Sequence, residues 1–311
     1  MTTIISTNPD CHTPLADISP TDKPWDKHRA NATIVESHYR ASSKHQKYAN
    51  RISLCSLFLE FKLVPTDAAF KLKLSSTYFC RVRWCPVCQW RRSLMWKAKT
   101  AKILPSVIKA YPTYRWLFLT LTVKNCQIGE LRSTLDHLNK SFERLSKLKA
   151  FPAQGWLRAA EVTRSKDGTA HPHFHVLLMV KPNYFSRDYL SIEKWKQMWQ
   201  QSLRIDYIPQ VDVKAIKCND NLSGILSEVI KYQVKESDLI ADRDWFLELT
   251  EQLHKTRAIS TGGILKEYLK ELENEPEDLI GDDGEVVETL GELYFAWMQH
   301  YQQYRDITVT V

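Results

Sequence analysis

Residues 171–178 constrain the fold of this 311-residue chain more than any other stretch. Their sequence is His-Pro-His-Phe-His-Val-Leu-Leu, so on a strand His173 and His175 point to one face and Phe174 and Val176 to the other. A histidine-rich strand without a ligand is the alternative interpretation. Buried polar groups without partners are costly, however, and imidazole is the commonest metal ligand. The stretch therefore predicts a buried strand that offers two histidines to a metal ion.

Composition is typical of a globular protein, with 25% charged and 43% hydrophobic residues. The chain has no long apolar run and no signal peptide pattern, so we expect no membrane association. Its seven cysteines are too few and too unevenly spaced for a secreted disulfide framework. These features favour a cytoplasmic location.

Charge is distributed unevenly along the chain. Residues 68–129 contain twelve Lys and Arg and no Asp or Glu, whereas residues 271–304 contain ten acids and no Lys or Arg. The basic block is interleaved with Tyr and Trp, which favours a nucleic-acid groove where cations meet phosphates and rings stack on bases. The alternative is a solvated basic face over core aromatics.

Three cysteines, Cys80, Cys85 and Cys88, lie within nine residues, with a proline after the second. Zinc takes four ligands in a closed tetrahedral site, so this spacing predicts structural zinc. Cys55 is the best fourth ligand, and His45 is the alternative. Three unrelated free thiols would be the other interpretation.

A predicted helix over residues 223–236 carries three polar side chains at helical spacing. Glu228 and Tyr232 are four residues apart and Lys235 follows three later, so one helix face would present all three. A tyrosine is a poor nucleophile at neutral pH, but a nearby cation or metal can activate it. A carboxylate one turn away could activate water.

The remaining pattern predicts an α+β protein with an at least partly antiparallel sheet. Strands are predicted at residues 52–63, 70–74, 116–123, 155–163, 173–180 and 209–216, and further helices at 89–104, 130–149, 190–203, 238–254 and 264–272. We expect four segments: a flexible tail (1–27), a zinc-stabilised basic DNA-binding region (28–110), a catalytic core (111–240) and a helical acidic region (241–311).

The chain resembles the replication initiators of small bacterial rolling-circle plasmids, in the HUH endonuclease superfamily. Residues 118–122, Phe-Leu-Thr-Leu-Thr, look like the first family motif, residues 171–176 like the second, and Glu228, Tyr232 and Lys235 like the third. The cysteine cluster looks like that of one clade. The resemblance covers about residues 51–235. It implies an HUH-type central antiparallel sheet flanked by helices, with an N-terminal zinc-bearing segment and a helical C-terminal region.

The resemblance also implies a mechanism. His173 and His175, with Glu161 from the neighbouring strand, would bind Mg²⁺ or Mn²⁺. Tyr232 would attack single-stranded or hairpin origin DNA, leaving a 5′-phosphotyrosine link, and termination would follow by strand transfer and hydrolysis assisted by Glu228. Plasmid origin DNA would be the partner, together with host helicase and DNA polymerase. Expected DNA contacts are Arg81, Arg83, Arg91, Arg92 and Lys97.

Three alternatives remain open at this point. An HUH transposase or relaxase would use the same chemistry on another DNA target. A histidine-triad nucleotide hydrolase would use His171, His173 and His175 without a metal. A non-catalytic zinc DNA-binding repressor would form no covalent link to a single-stranded oligonucleotide, which distinguishes it from the endonuclease.

Overall fold

The structure, a computed structural model, describes residues 13–67, 70–216, 229, 233–273, 280 and 289–308. The helices are α1 (Leu15–Ile18), α2 (Pro24–Arg40), α3 (Gln46–Ser53), α4 (Pro86–Ala110), α5 (Leu131–Ser146), α6 (Ile192–Leu203), α7 (Glu236–Ala241), α8 (Arg243–Gln252) and α9 (Ile264–Glu273). The strands are β1 (Phe58–Pro65), β2 (Phe70–Thr77), β3 (Arg115–Thr122), β4 (Ala153–Arg164), β5 (Ala170–Val180), β6 (Val211–Ile216), β7 (Ile259–Gly263), β8 (Gly291–Met298) and β9 (Gln303–Asp306).

The chain forms two compact α+β units. One comprises Met1–Arg92 with Glu277–Val311, and the other comprises Ser93–Pro276. The boundary between the units falls within α4. Where the structure describes the chain, no helix is both long and apolar enough to span a bilayer.

The first unit is built on an antiparallel sheet with strand order β2-β1-β8-β9. The Phe61 and Phe295 rings pack edge to face across β1 and β8, 5.8 Å apart. The Tyr304 hydroxyl, fully buried, donates a hydrogen bond to the carbonyl of Ser56, 2.6 Å away. This core therefore joins residues from the two ends of the chain.

The structure differs from the sequence prediction at two places in this unit. Leu15 and Trp25 are buried and Trp25 packs against Tyr304, so these two side chains of the segment predicted as a flexible tail belong to the core. The acidic C-terminal region is not entirely helical, since β8 and β9 lie there. Alternate apolar residues of β8, Leu293, Phe295 and Trp297, carry a strand signal that the acidic composition obscured.

The second unit contains an antiparallel sheet with strand order β6-β3-β5-β4-β7. The predicted hairpin of β4 and β5, the buried strand β3 and the amphipathic helix α5 are confirmed. A cluster of buried side chains on one sheet face includes Leu104 and Val107 from α4, Leu177 from β5 and Leu265 from α9. The long strand β5 lies at the centre, which places its histidines in the middle of the sheet.

Other predicted boundaries also differ from the structure. Helix α4 runs through Pro105, because Leu104 and Val107 on either side are buried and that packing offsets the lost backbone hydrogen bond. Residues 52–53 end helix α3, and β1 begins only at Phe58. The helix predicted over 238–254 is two helices, α7 and α8, which meet at Asp242.

The helix predicted over residues 223–236 does not extend through its last residues. Gln233 is in a bend, and Val234 forms an isolated parallel bridge with Val162 of β4. The Val162 N–H donates to the Gln233 carbonyl at 2.8 Å, so sheet pairing replaces helical bonds here. Lys235 has extended dihedral angles and precedes α7, and it therefore cannot continue a helix face.

Candidate functional site

Strand pairing brings two histidines and a carboxylate together. His173 and His175 share one face of β5, and Glu161 of β4 lies directly opposite His173. The Glu161 Oε2 atom is 3.0 Å from His175 Nε2 and 3.4 Å from His173 Nε2. Glu161 and His173 are buried, and His175 is partly buried. We call these three residues the histidine-carboxylate cluster.

The carboxyl group of Glu161 is ionised at neutral pH. Burial raises the pKa of this carboxyl, but hydrogen bonds and positive charge from His173 and His175 outweigh burial and hold its pKa well below the usual range. A charged carboxylate beside two imidazoles is a suitable donor set for a divalent cation. Candidate ligand atoms of all three residues lie within 4.8 Å of one another.

The Nδ1 atoms of His173 and His175 each have a hydrogen-bond partner. His173 Nδ1 donates to the carbonyl of His171 at 3.2 Å, and His175 Nδ1 is 3.2 Å from Thr120 Oγ1. This arrangement turns both Nε2 atoms toward Glu161. Ligating histidines in metalloproteins have the same pattern, with one nitrogen on the metal and the other on a hydrogen-bond partner.

His171 lies outside this cluster. Its Nδ1 atom is 2.7 Å from Asn125 Oδ1, and its ring centroid is 5.1 Å from that of His173. Asn125 also donates to Ser165 and Thr169 at the tip of the β4–β5 hairpin. The structure thus links His171 to the hairpin tip through Asn125, a residue to which the sequence analysis gave no role.

Two side chains that contact His175 are not among the individually predicted site residues. Phe118 stacks on its ring, and Thr120 contacts its Nδ1 atom. Both lie on β3, where they alternate with the core residues Leu119 and Leu121. Period-two alternation in residues 118–122 could have indicated a shared face, but the pairing of β3 with β5 is not a local signal.

The first unit contains the second candidate metal centre, formed by Cys55, Cys80, Cys85 and Cys88, all buried. We call it the cysteine cluster. Sγ–Sγ distances are 3.7 Å for Cys55–Cys88, 3.6 Å for Cys80–Cys88 and 3.7 Å for Cys85–Cys55. Four thiolates at about 2.3 Å from one tetrahedral zinc ion lie about 3.8 Å apart, so the spacing fits zinc.

Local structure explains how the cysteines converge. Arg81 has a left-handed backbone with φ of 55°, which turns the chain after Cys80. Its N–H donates to Cys88 Sγ at 3.3 Å. Pro86 then begins α4, a position that its fixed φ favours. Cys55 lies in the turn after α3, not on a strand as predicted.

The fourth member of the cysteine cluster is Cys55, and the position of His45 excludes it. The His45 Nδ1 atom is 2.9 Å from Ser42 Oγ, and its ring packs against Tyr48, so His45 is outside the cysteine cluster. Burial raises the pKa of the Cys85 thiol well above its ordinary value, and the neighbouring thiols raise it further. A divalent cation would offset the cost of ionising these thiols. Cys11 and Cys218 lie outside the described residues.

The basic side chains predicted to contact DNA differ in their surroundings. Arg91 donates to the Ile280 carbonyl, and Arg92 donates to the carbonyls of Arg81 and Arg83. The Arg83 guanidinium lies 4.9 Å from the Trp84 ring centroid. Arg81 is exposed, and Lys97 is partly exposed. Arg91 and Arg92 therefore contribute contacts within the first unit.

Most aromatic residues of the basic block pack within the protein. Trp84 and Trp116 are buried, and Trp90 contacts the Trp25 ring at 4.9 Å. Trp96, Tyr111 and Tyr114 pack against the core cluster of the second unit. Tyr78 is 53% exposed, and it alone among the seven Tyr and Trp residues of the block has a largely exposed side chain. Core packing thus explains much of the pattern that suggested a stacking groove.

Glu228 and Tyr232 lie outside the described residues, so the structure does not test their predicted positions. Nearby residues are described. Val229 is buried in the same cluster as Ala159, which pairs with His175, and Leu177. Cross-strand partners share a sheet face. Val229 therefore packs on the face that carries the histidine-carboxylate cluster.

Comparison with known proteins identifies the family. A family model described as a replication protein, Rep_1, matches residues 71–305. The chain is 34% identical over 296 residues to Protein rep of Streptococcus pneumoniae, covering 91% of this chain and 92% of that protein. It is 34% identical over 303 residues to Protein rep of Lentilactobacillus hilgardii, covering 91% of this chain and 95% of that protein. A Replication protein of Staphylococcus aureus is 38% identical over 203 residues, which cover 60% of this chain and 86% of that protein.

No solved structure gave a significant match to the chain. The family model nevertheless spans both units, and its matched range contains the whole histidine-carboxylate cluster and three of the four clustered cysteines. The chain belongs to the Rep_1 family of replication proteins.

Proposed function

We propose that this chain initiates rolling-circle replication of a plasmid by nicking one DNA strand at the origin through a tyrosine nucleophile. The observation that carries the proposal is the histidine-carboxylate cluster, on adjacent central strands of a Rep-family chain. Two imidazoles and one carboxylate leave coordination positions open for phosphate oxygens. This is the donor set expected of an HUH-type endonuclease.

The cluster itself supports a metal-assisted reaction. A bound Mg²⁺ or Mn²⁺ would draw charge from the scissile phosphate and so lower the barrier to attack. Glu161 contributes a full negative charge, and His173 and His175 contribute Nε2 atoms turned toward it. In a histidine-triad hydrolase, which uses no metal, the contacts of Glu161 with His173 and His175 would have no function.

Tyr232 is the proposed nucleophile. Its phenolic oxygen would attack the scissile phosphorus, the bond from phosphorus to the 3′ oxygen would break, and that oxygen would take up a proton to give a free 3′-OH. The 5′ phosphate would stay esterified to Tyr232. A position of the nucleophile close to the histidine-carboxylate cluster is supported by the next residue, Gln233. Its carbonyl accepts a hydrogen bond from the N–H of Val162, which follows Glu161 in β4. Lys235 supplies a positive charge in the same segment.

Glu228 is the proposed base at termination. It would take a proton from water, the water oxygen would attack the phosphotyrosine, and the bond between phosphorus and the Tyr232 oxygen would break. A phosphotyrosine that is not hydrolysed would instead be attacked by a free 3′-OH, which would break the bond between phosphorus and the Tyr232 oxygen, close the circle and return a proton to Tyr232. The free 3′-OH is a primer end, so a host DNA polymerase and a helicase are the proposed protein partners.

Structural zinc in the cysteine cluster would stabilise the region that binds DNA. The four thiols are buried and spaced for a closed tetrahedral site, so this ion would have no open position for substrate. Arg81 and Arg83 lie in the same loop, and Lys97 lies further along α4. These cations are proposed to bind phosphates of single-stranded or hairpin origin DNA.

The test is covalent capture of a labelled single-stranded origin oligonucleotide. Tyr232→Phe is expected to form no protein–DNA adduct, because the attacking oxygen is absent. Glu228→Ala is expected to form the adduct but to accumulate it, because hydrolysis is slowed. Tyr207→Phe is the matched control, since Tyr207 lies outside the histidine-carboxylate cluster and its hydroxyl accepts a hydrogen bond from the Lys124 N–H.

Two results would overturn these assignments. An adduct formed by Tyr232→Phe would mean that another tyrosine is the nucleophile. A nicking defect in Glu228→Ala as severe as that of Tyr232→Phe would place Glu228 in initiation rather than termination.

A further inference from the structure

Residues 118–122 form the sequence motif to which the proposed function gives no role. We infer that Thr120 and Phe118 are positioning residues that hold the His175 ring so that its Nε2 atom is presented to a divalent cation. This inference rests on the proposed metal-dependent function and adds the residues that prepare its metal site.

Strand register places the motif beside the histidines. In the antiparallel pair of β3 and β5, Thr120 is opposite His175 and Thr122 is opposite His173. Directly opposite residues share a sheet face, so Phe118, Thr120 and Thr122 lie on the histidine face. Leu119 and Leu121 point to the other face, where both are fully buried. The alternation of the motif therefore separates the side chains on the histidine face from those that pack in the core.

Contacts on several sides surround the His175 ring. Thr120 Oγ1 is 3.2 Å from Nδ1, and Glu161 Oε2 is 3.0 Å from Nε2. The Phe118 ring stacks on the imidazole with centroids 5.3 Å apart and planes inclined by 24°. The contact at Nδ1 and the stacked ring together restrict rotation of the imidazole. When Nδ1–H donates to the Thr120 oxygen, Nε2 retains the lone pair that a cation needs.

The two histidines are supported differently. His173 Nδ1 donates to a backbone carbonyl, that of His171, and no side-chain substitution removes this acceptor. His175 depends on the side chain of Thr120. A conservative substitution can therefore remove the Thr120 hydroxyl from this support while the strand stays intact.

Thr122 supplies a matched control on the same strand and face. Its hydroxyl donates to the Gln210 carbonyl at 3.0 Å, and its own N–H donates to the same carbonyl. Thr122→Val removes a threonine hydroxyl without touching a histidine and leaves one hydrogen bond to Gln210. Any general effect of placing valine in β3 appears equally in this variant.

The experiment measures Mn²⁺ binding to the full zinc-loaded chain by electron paramagnetic resonance of free Mn²⁺. Loss of an outer hydrogen bond to a ligating histidine typically weakens metal binding about 10- to 100-fold, so Thr120→Val is expected to raise the Mn²⁺ Kd about 10-fold or more. Thr120→Ser keeps the hydroxyl and is expected to restore binding. Thr122→Val is expected to bind Mn²⁺ like the unchanged protein, and Phe118→Leu less tightly.

Nicking gives a second readout. Since Thr120 acts through His175, added Mn²⁺ is expected to restore most of the nicking rate of Thr120→Val, with the half-saturating Mn²⁺ concentration raised in step with Kd. Thermal melting of each variant is the control for an intact fold, and each is expected to melt near the temperature of the unchanged protein.

The inference is overturned if Thr120→Val binds Mn²⁺ as tightly as the unchanged protein does while His175→Ala loses binding. A different result separates failure of the proposed function: if the unchanged protein and His175→Ala bind Mn²⁺ equally weakly, the cluster is not a metal site and both proposals fall.

Discussion

At the residue scale, the chemistry depends on how a carboxylate and two imidazoles are brought into a buried site. Glu161 would be costly there as an isolated charge. Its contacts with His173 and His175 keep the pKa of its carboxyl well below the usual range, despite the opposing effect of burial. The carboxylate is therefore charged before any cation binds.

The first prediction separates metal binding from DNA binding. His173→Ala is expected to abolish nicking and to leave most DNA affinity, because the affinity comes from cations that meet phosphates elsewhere. Oligonucleotide cleavage and filter binding measure the two properties, and EDTA is expected to reproduce the cleavage defect. His137→Ala, at an exposed position of α5, is the control. Full cleavage by His173→Ala or in EDTA would contradict the metal-dependent mechanism.

At the element scale, hydrogen bonds at helix ends and strand edges decided several boundaries. The periodicity of residues 238–254 predicts one helix, but Asp242 divides it. The Asp242 Oδ1 atom accepts from the Trp245 N–H at 3.0 Å, which caps α8, and Oδ2 pairs with Arg164 of β4 at 2.9 Å. The Trp245 N–H contributes most to lowering the pKa of the Asp242 carboxyl, and Arg164 lowers it further.

Asp242→Ala is expected to lower the free energy of unfolding by about 1 kcal/mol, the usual effect of losing an N-cap side chain. Asp242→Asn keeps an acceptor for the Trp245 N–H and is expected to lose less. Because the folded carboxyl has a lowered pKa, its contribution is present above pH 3.8 and is lost as pH falls below that value.

Urea denaturation at pH 7 and at pH 3 measures this contribution. Asp244→Ala is the control, since Asp244 is exposed and pairs only with its neighbour Arg243 among the ion pairs of the described residues. Equal destabilisation by Asp242→Ala and Asp244→Ala would show that the cap contributes little.

At the scale of the whole molecule, the first unit is assembled from sequence-distant segments. Residues Phe58–Leu63 of β1 pair with Gly291–Ala296 of β8. The Tyr304 hydroxyl bonds to Ser56, the residue after the cluster ligand Cys55. The cysteine cluster is therefore supported by strands that begin more than two hundred residues further along the chain.

Truncation tests this dependence. A chain that ends at Glu288 lacks β8 and β9, which exposes Phe61 and the edge of β1. We expect the full chain to contain one zinc per molecule, and the truncated chain to contain much less and to be cut readily by protease between residues 13 and 92. Zinc analysis and limited proteolysis measure these effects. A chain ending at Thr308 keeps both strands and is the control.

One result would contradict this account. If the chain ending at Glu288 retains one zinc and resists protease as the full chain does, β8 and β9 are not required for the first unit.

Local patterns in the sequence were sufficient for several features. Alternation of histidine with apolar residues determines strand β5 and the shared face of His173 and His175, because side chains on a strand alternate with period two. Spacing determines the thiol cluster of Cys80, Cys85 and Cys88, because a short loop keeps all three within reach of one ion. Amphipathic periodicity determines α5, whose leucines recur at helical spacing.

Only the tertiary structure decided the features that depend on contacts between distant residues. It selected Cys55 over His45 in the cysteine cluster and set Thr120 against His175. It also paired β8 with β1, in a region predicted to be helical. Strand register and pairing between segments separated by tens to hundreds of residues arise from burial of a common core, and no local period encodes which strand will be the partner.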